Sequence, residues 1–383
     1  MPIDVNRALE KLVQMNGSDL HLKVPSPPMA RVDGELVTID EFDKLMPADT
    51  DAALRTILAD EGKLKEFDTE GEVDFAYALP GVARFRVNAF RQRGSVSLVC
   101  RSIPFAVRTI DDLMLPPVIR ELAEEERGIV LLTGTTGSGK STTLAAMIDH
   151  INETRSRHIV TIEDPVEFMH ADKRSVVNQR EVGMDTVSFK RALRRVLRQD
   201  PDVILIGEMR DEETVQTALS AAETGHLVFS TVHTIDATET INRLIEFFPP
   251  HMHNQVRAMI SSTLKGAVSQ RLVPTADGVG RIAVCEVMRM TGRVRDMIND
   301  PEMTGRLPEV IEEGGYYGMQ SFDQALFGHL KAGRIKMDDA LAAASNSHDF
   351  KLLVAADGRK GTTMDDIGTS EQEPGNLARS VLR

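Results

Sequence analysis

The residues best suited to chemistry lie in one stretch, Gly134-Thr135-Thr136-Gly137-Ser138-Gly139-Lys140-Ser141-Thr142. It fits the phosphate-loop pattern at every fixed position, with Gly134, Gly139, Lys140 and Ser141 in place. Glycines let the backbone turn tightly and aim successive N–H groups at phosphate oxygens. Lys140 offers a mobile positive charge to the β- and γ-phosphates. Ser141 offers a hydroxyl to Mg²⁺, with Thr142 beside it. Such a loop works only between a buried strand and a helix N-terminus, which adds partial positive charge. Both flanks are present. Gly-Ile-Val-Leu-Leu-Thr (128–133) is a short apolar run that reads as a buried parallel strand, and 143–149 opens a helix. The ligand implied is ATP with Mg²⁺.

Hydrolysis also needs a group that orients and deprotonates water. Strands read at 158–162, 203–206 and 226–233, separated by helical stretches, predict a parallel α/β sheet. Ligands in such sheets bind beyond the carboxyl ends of the strands. Glu163 and Glu208 follow two of these strands and are the two candidates for the catalytic role. The second strand departs from the usual metal-binding pattern. Gly207 stands where an aspartate is expected, and Asp202 lies at the strand's far end. Metal ligation then rests on Ser141, the phosphates and water, with Glu163 or Glu208 behind them. His226 and His233 flank the last strand without a third ligand at metal-binding spacing. Each either senses the γ-phosphate, shapes a subunit interface or is a hydrogen-bonded structural residue.

The remaining sequence bounds the protein. Its 383 residues suggest two folded domains. A net charge of −13 and the absence of Trp argue against nucleic acid as a partner. Cys100 and Cys285 are the only cysteines, which fits a reducing cytoplasm and excludes a four-cysteine zinc site. No apolar run is long enough to span a membrane, and no signal-peptide core is present. Residues 1–103 read as a small mixed domain with a first helix from Val5, a hairpin around Asp33-Gly34, a helical stretch over 47–67 and alternating strands up to Ile103. Arg84 and Arg86 share one face of a strand. They form either a solvated basic face or a set that reaches phosphates held in a neighbouring subunit. Residues 104–118 read as a linker and 119–350 as the ATPase domain. Within it, 189–199 reads as a basic helix with Leu193, Val196 and Leu197 inward, 238–272 as largely helical, and the methionines from Met288 to Met319 as core filler or a docking face. Residues 351–383 read as a disordered tail.

Taken together, these motifs resemble those of the secretion-type ATPases, and among them the type IV pilus twitching-motility and retraction ATPases PilT and PilU. The resemblance covers roughly residues 1–350. It rests on GSDLHL (17–22), RFRVNAF (84–90), the phosphate loop, TIEDPVEF (161–168), NQREVG (178–183), DPDVILIGEMRD (200–211), TGHLVFSTVHT (224–234) and GMQSFDQAL (318–326). It implies a PAS-like N-terminal domain and a RecA-like ATPase domain, with nucleotide at their junction in a hexameric ring. It implies Glu163 as catalytic glutamate, Glu208 as Walker B glutamate, His226 and His233 as the histidine box, and Arg84 and Arg86 as candidates to complete the site. An inner-membrane platform protein and a paralogous ATPase are the implied partners, at the cytoplasmic face of the membrane. The retraction hallmark AIRNLIRE reads here as RVRDMIND (293–300), retaining Arg295 and Ile298. That departure leaves open whether the chain retracts pili alone or assists; FDQAL and the extension beyond the ATPase core lean towards PilU, while the core motifs fit both. Assembly ATPases of the same superfamily, which carry a four-cysteine zinc element, a regulatory subunit and a DNA translocase are the alternatives.

Overall fold

The structure is a computed structural model that describes residues 3–32, 34–103 and 106–356. Its first part is built on helices α1 (Val5–Gln14), α2 (Pro47–Ile57) and α3 (Glu61–Glu70) and strands β1 (Asp19–Leu22), β2 (Met29–Val32), β3 (Glu35–Thr38), β4 (Glu72–Leu79), β5 (Ala83–Gln92) and β6 (Ser95–Ile103). The strands form one antiparallel sheet in the order β3-β2-β1-β6-β5-β4. Strand β5 alternates strictly. Ala83, Phe85, Val87 and Ala89 are buried, and Arg84 and Arg86 face the other way. The helical stretch predicted over 47–67 is broken in two, because Asp60 caps a new helix by accepting from the Gly62 and Lys63 N–H groups.

The second part continues with α4 (Val118–Ala123), β7 (Gly128–Thr133), α5 (Lys140–Thr154), β8 (His158–Glu163), β9 (Val176–Glu181), α6 (Phe189–Val196), β10 (Val203–Ile206), α7 (Glu212–Glu223), β11 (Leu227–Val232), α8 (Ala237–Glu246) and α9 (His253–Thr263). It ends with β12 (Leu264–Pro274), β13 (Arg281–Arg289), α10 (Gly292–Asn299), α11 (Leu307–Glu313), α12 (Phe322–Lys331), α13 (Met337–Ala343) and α14 (Ser347–Ala355). The sheet order is β13-β12-β7-β11-β10-β8-β9. All neighbours are parallel except the β12–β13 pair. Runs such as Ile129–Leu132 and Val203–Ile206 are buried throughout, as strands covered on both faces must be.

Four sequence readings change. Residues 264–272 are strand, not helix. Leu197 is 37% exposed and does not pack inward with Leu193 and Val196. Ile110 and Leu115 are buried against the second sheet's core, so most of the predicted linker is anchored. Helix α14, with Phe350 buried, carries order past residue 350, and positions 357–383 lie outside the described residues. The methionines at 288, 297 and 319 are core residues. Cys100 and Cys285 are buried free thiols pushed up to about 12 by burial. Among the described residues, no helix is long and apolar enough to cross a membrane.

Candidate active site

Parallel strands send β7, β8, β10 and β11 out of the sheet at one edge, and a cleft of about 550 Å³ opens there. Thr136, Gly137, Gly139, Lys140, Ser141 and Thr142 line it, facing Glu163, Glu208 and His233. The loop is shaped by positive φ at Gly134 (139°), Gly137 (80°) and Gly139 (90°), a region that side-chain-bearing residues rarely enter. Lys140 is buried. Its Nζ donates to the carbonyls of Gly134 (2.7 Å) and Thr135 (2.9 Å). Burial lowers its pKa, and the charges of Glu167 and Glu208 oppose that shift. The ammonium therefore rests on loop carbonyls, within the field of two carboxylates, and can exchange those bonds for phosphate oxygens. Ser138 holds the loop from within, its N–H donating to Thr135 O at 3.2 Å.

Glu163 ends β8 and is half-buried. Burial pushes its carboxyl above the ordinary range, and hydrogen bonds from Thr161 Oγ1 (2.6 Å) and Gln179 Nε2 (3.2 Å) pull it back. A carboxyl of raised basicity beside a phosphate loop suits a base for water. Gln179 comes from β9, which reads Val-Val-Asn-Gln-Arg-Glu and is polar over its last four residues. It falls within the NQREVG motif, but the sequence gives no sign that it supports Glu163.

Glu208 is aimed by its neighbours. Thr231 Oγ1 donates to Gly207 O at 2.7 Å, and the Met209 N–H donates to Thr231 O at 3.1 Å. The glycine in the usual aspartate position is closely surrounded. A Cβ on Gly207 would lie 3.3 Å from Ile162 O and 3.4 Å from Glu163 Cα. The acidic group moves one residue on, where Glu208 meets Arg210 Nη2 (2.7 Å) and His233 Nε2 (3.3 Å). Ser141, Glu163 and Glu208 are hard oxygen donors of the kind that suit Mg²⁺ held with phosphates and water. Among the described residues, no group of three or more His, Cys, Asp or Glu is placed to hold a metal by itself.

Not every candidate reaches the cleft. His226 precedes β11 at the opposite edge of the sheet, about 20 Å from His233 at the usual rise per residue. There its Nδ1 lies 2.9 Å from Ala221 O, and its carbonyl accepts from the Gly128 N–H. Arg84 crosses to the second sheet instead, where its Nη2 pairs with the buried Glu181 at 3.1 Å. Arg86 is exposed. Neither arginine lines this chain's own cleft.

The model of the type II/IV secretion system protein family matches residues 116–313. The chain is 44% identical over 348 residues to the type IV pilus retractation ATPase PilT of Pseudomonas aeruginosa, covering 91% of this chain and all of that one. It is 41% identical over 352 residues to the type IV pilus ATPase PilU of the same organism, covering 92% and 91% of the two chains. A crystal structure of the pilus retraction motor PilT with bound ADP superposes with a TM-score of 0.84 at 41% identity, over 91% of this chain and 99% of that one. The chain therefore belongs to the type II/IV secretion system ATPase family, in the group that contains PilT and PilU.

Proposed function

We propose that this chain is an ATP-hydrolysing motor subunit that drives retraction of a type IV pilus. The observation that carries this reading is the single cleft where Lys140 and Ser141 of the phosphate loop face Glu163 and Glu208. Lys140 leaves the Gly134 and Thr135 carbonyls to bind the β- and γ-phosphates. Ser141 is the hydroxyl that would hold Mg²⁺, which neutralises phosphate charge when bound. Glu163 accepts the proton of the attacking water, and Glu208, steadied by His233 and Arg210, orients that water. Copies of the chain assemble as a homohexameric ring at the cytoplasmic face of the inner membrane, against a pilus platform protein. Arg84 and Arg86 complete the nucleotide site of another copy.

The moving bodies are residues 1–103 and the ATPase part from 119 to 355. Because Ile110 and Leu115 are anchored in the second core, they move with the ATPase part rather than as a hinge. Steady-state ATPase activity of the purified chain against protein concentration, with sizing of the same samples, tests the reading. Turnover that rises with a six-subunit species supports it, and a stable ring that never turns over overturns it.

One observation favours a second reading, a PilU-like accessory motor. The segment 293–300 departs from the retraction hallmark. It nevertheless forms an ordered helix, α10, with Val294, Met297 and Ile298 buried and Arg293 paired to Glu313 at 2.7 Å. Turnover that appears only on adding a paralogous ATPase favours this accessory role.

A further inference from the structure

Strand β12 outruns its partner. Its parallel pairing with β7 ends at Ser269 opposite Thr133, where the Thr133 and Ser269 hydroxyls meet at 2.9 Å. Gln270 is the next residue, and it lies beside the phosphate loop. It is 2% exposed. Its Nε2 donates to the Ser138 carbonyl at 2.8 Å, and its Oε1 accepts from Thr143 Oγ1 at 2.8 Å. A carbonyl only accepts, so the amide can be seated only this way round. The Thr143 hydroxyl, on the first turn of α5, holds it there. Two loop glycines pack directly on this residue. A Cβ at Gly139 would come 2.7 Å from Gln270 Nε2, and one at Gly134 would come 2.5 Å from Gln270 O.

We infer that Gln270 is a positioning residue for the phosphate loop, fixing the peptide between Ser138 and Gly139. In a planar trans peptide the C=O and the following N–H point in opposite directions. Tying the Ser138 carbonyl to β12 turns the Gly139 N–H away from β12, towards the cleft that Gly139 lines. That N–H is one of the donors an anion would meet in the loop. Without Gln270 the peptide is free to rotate, and a phosphate must order it on binding. The inference rests on the cleft being a nucleotide site.

The test uses the full chain and compares Gln270→Glu, Gln270→Met and Thr143→Val for ATP affinity, KM, kcat and thermal unfolding. Lys140→Ala and Arg271→Ala serve as references. Arg271 follows Gln270 but binds elsewhere, donating to Ala343 O at 2.7 Å and lying over the Phe322 ring. Gln270→Glu keeps the Thr143 bond and sets a carboxylate against the Ser138 carbonyl. Assayed at a pH high enough to ionise a buried carboxyl, it should weaken ATP binding and raise KM roughly ten- to hundredfold, because two acceptors then face each other and both are left unsatisfied. Gln270→Met, which lacks both bonds, should weaken binding about tenfold, and Thr143→Val about threefold, because the amide survives without its support. Arg271→Ala should leave affinity unchanged. A merely structural role would lower unfolding temperature in the Gln270 and Arg271 variants alike, with affinity per folded chain intact. That result, or wild-type ATP affinity in any folded Gln270 variant, overturns the inference. If neither Gln270 variant folds, Thr143→Val decides, and unchanged affinity there overturns it. ATP binding by Lys140→Ala would instead bring down the nucleotide-site reading itself.

Discussion

The two sides of this ATPase are unequal. At the edge of the parallel sheet, the phosphate loop, Glu163, Glu208 and His233 converge within one chain. On the antiparallel sheet, Arg84 and Arg86 carry suitable charge but stop short of the cleft. Arg84 is held by Glu181, and Arg86 faces solvent. The first half-site is dictated by strand direction, because parallel strands must end together. The second depends on where another body is placed, which one chain does not fix. Separation of this kind suits a motor, since nucleotide then binds in one part and is completed by the movement of another.

The largest expected effect lies on the complete side. Lys140→Ala should abolish ATP binding, read by nucleotide titration, and retained binding would dissolve the comparison at its root. Glu163→Gln should keep ATP binding while turnover falls by about two to four orders of magnitude, the usual contribution of a proton-transferring group, and Glu208→Ala should keep binding while turnover is lost with the group that orients the water. Normal turnover in either variant moves the role to the other carboxylate. For Glu163 the pH profile sharpens this. Its raised pKa means that the base is ionised only above the ordinary carboxylate range. The acidic limb of kcat should therefore sit higher than for a free glutamate and vanish in Glu163→Gln. On the incomplete side, Arg86→Ala should lower turnover only in the assembled ring, and an equal loss in a monomer would place Arg86 in its own chain's site. Arg84→Ala strips the buried Glu181 of its charged partner, leaving the Val166 N–H, and should cost stability as well, by about 1–3 kcal/mol.

The last effect is on stability alone and leaves the site untouched. Glu286 on β13 is buried, accepts from the Ala237 N–H at the start of α8 at 2.8 Å, and is pushed up to about 7 by burial. Its folded pKa exceeds the unfolded value of 4.5, so the folded chain keeps a proton that the unfolded chain releases. Stability from this group is present below about pH 4.5 and is lost as pH rises through about 7. Glu286→Gln should then gain over the parent chain between pH 5 and 8 by on the order of 3 kcal/mol, read as a urea midpoint. A gain that does not depend on pH would contradict it.

Much of this was legible because it is local. The phosphate loop, the strand before it and the helix after it sit within one short span, and each apolar run before Glu163 and Glu208 reads as a buried strand. That His226 leaves the sheet at the edge away from the cleft is also legible. Two residues flanking a six-residue strand must leave at opposite edges of the sheet. Gln270 was missed for a deeper reason. Leu264–Pro274 lacks alternation and reads as the end of a helix, and its strand partner β7 lies more than a hundred residues earlier. Only tertiary pairing reveals that Gln270 sits beside the loop. The Arg84–Glu181 contact is equally non-local.

The central claim is that one copy supplies the phosphate half-site and another supplies the arginine. It is tested most directly by mixing Lys140→Ala and Arg86→Ala chains and measuring ATPase activity in the mixed rings. An Arg86→Ala chain still has its loop, and a Lys140→Ala neighbour still has Arg86. Random mixing in equal parts makes roughly one site in four whole across a head-to-tail interface. The account predicts turnover well above that of Arg86→Ala alone, near a quarter of the parent ring. Activity no greater than half that of Arg86→Ala, in assemblies shown to contain both chains, would contradict it.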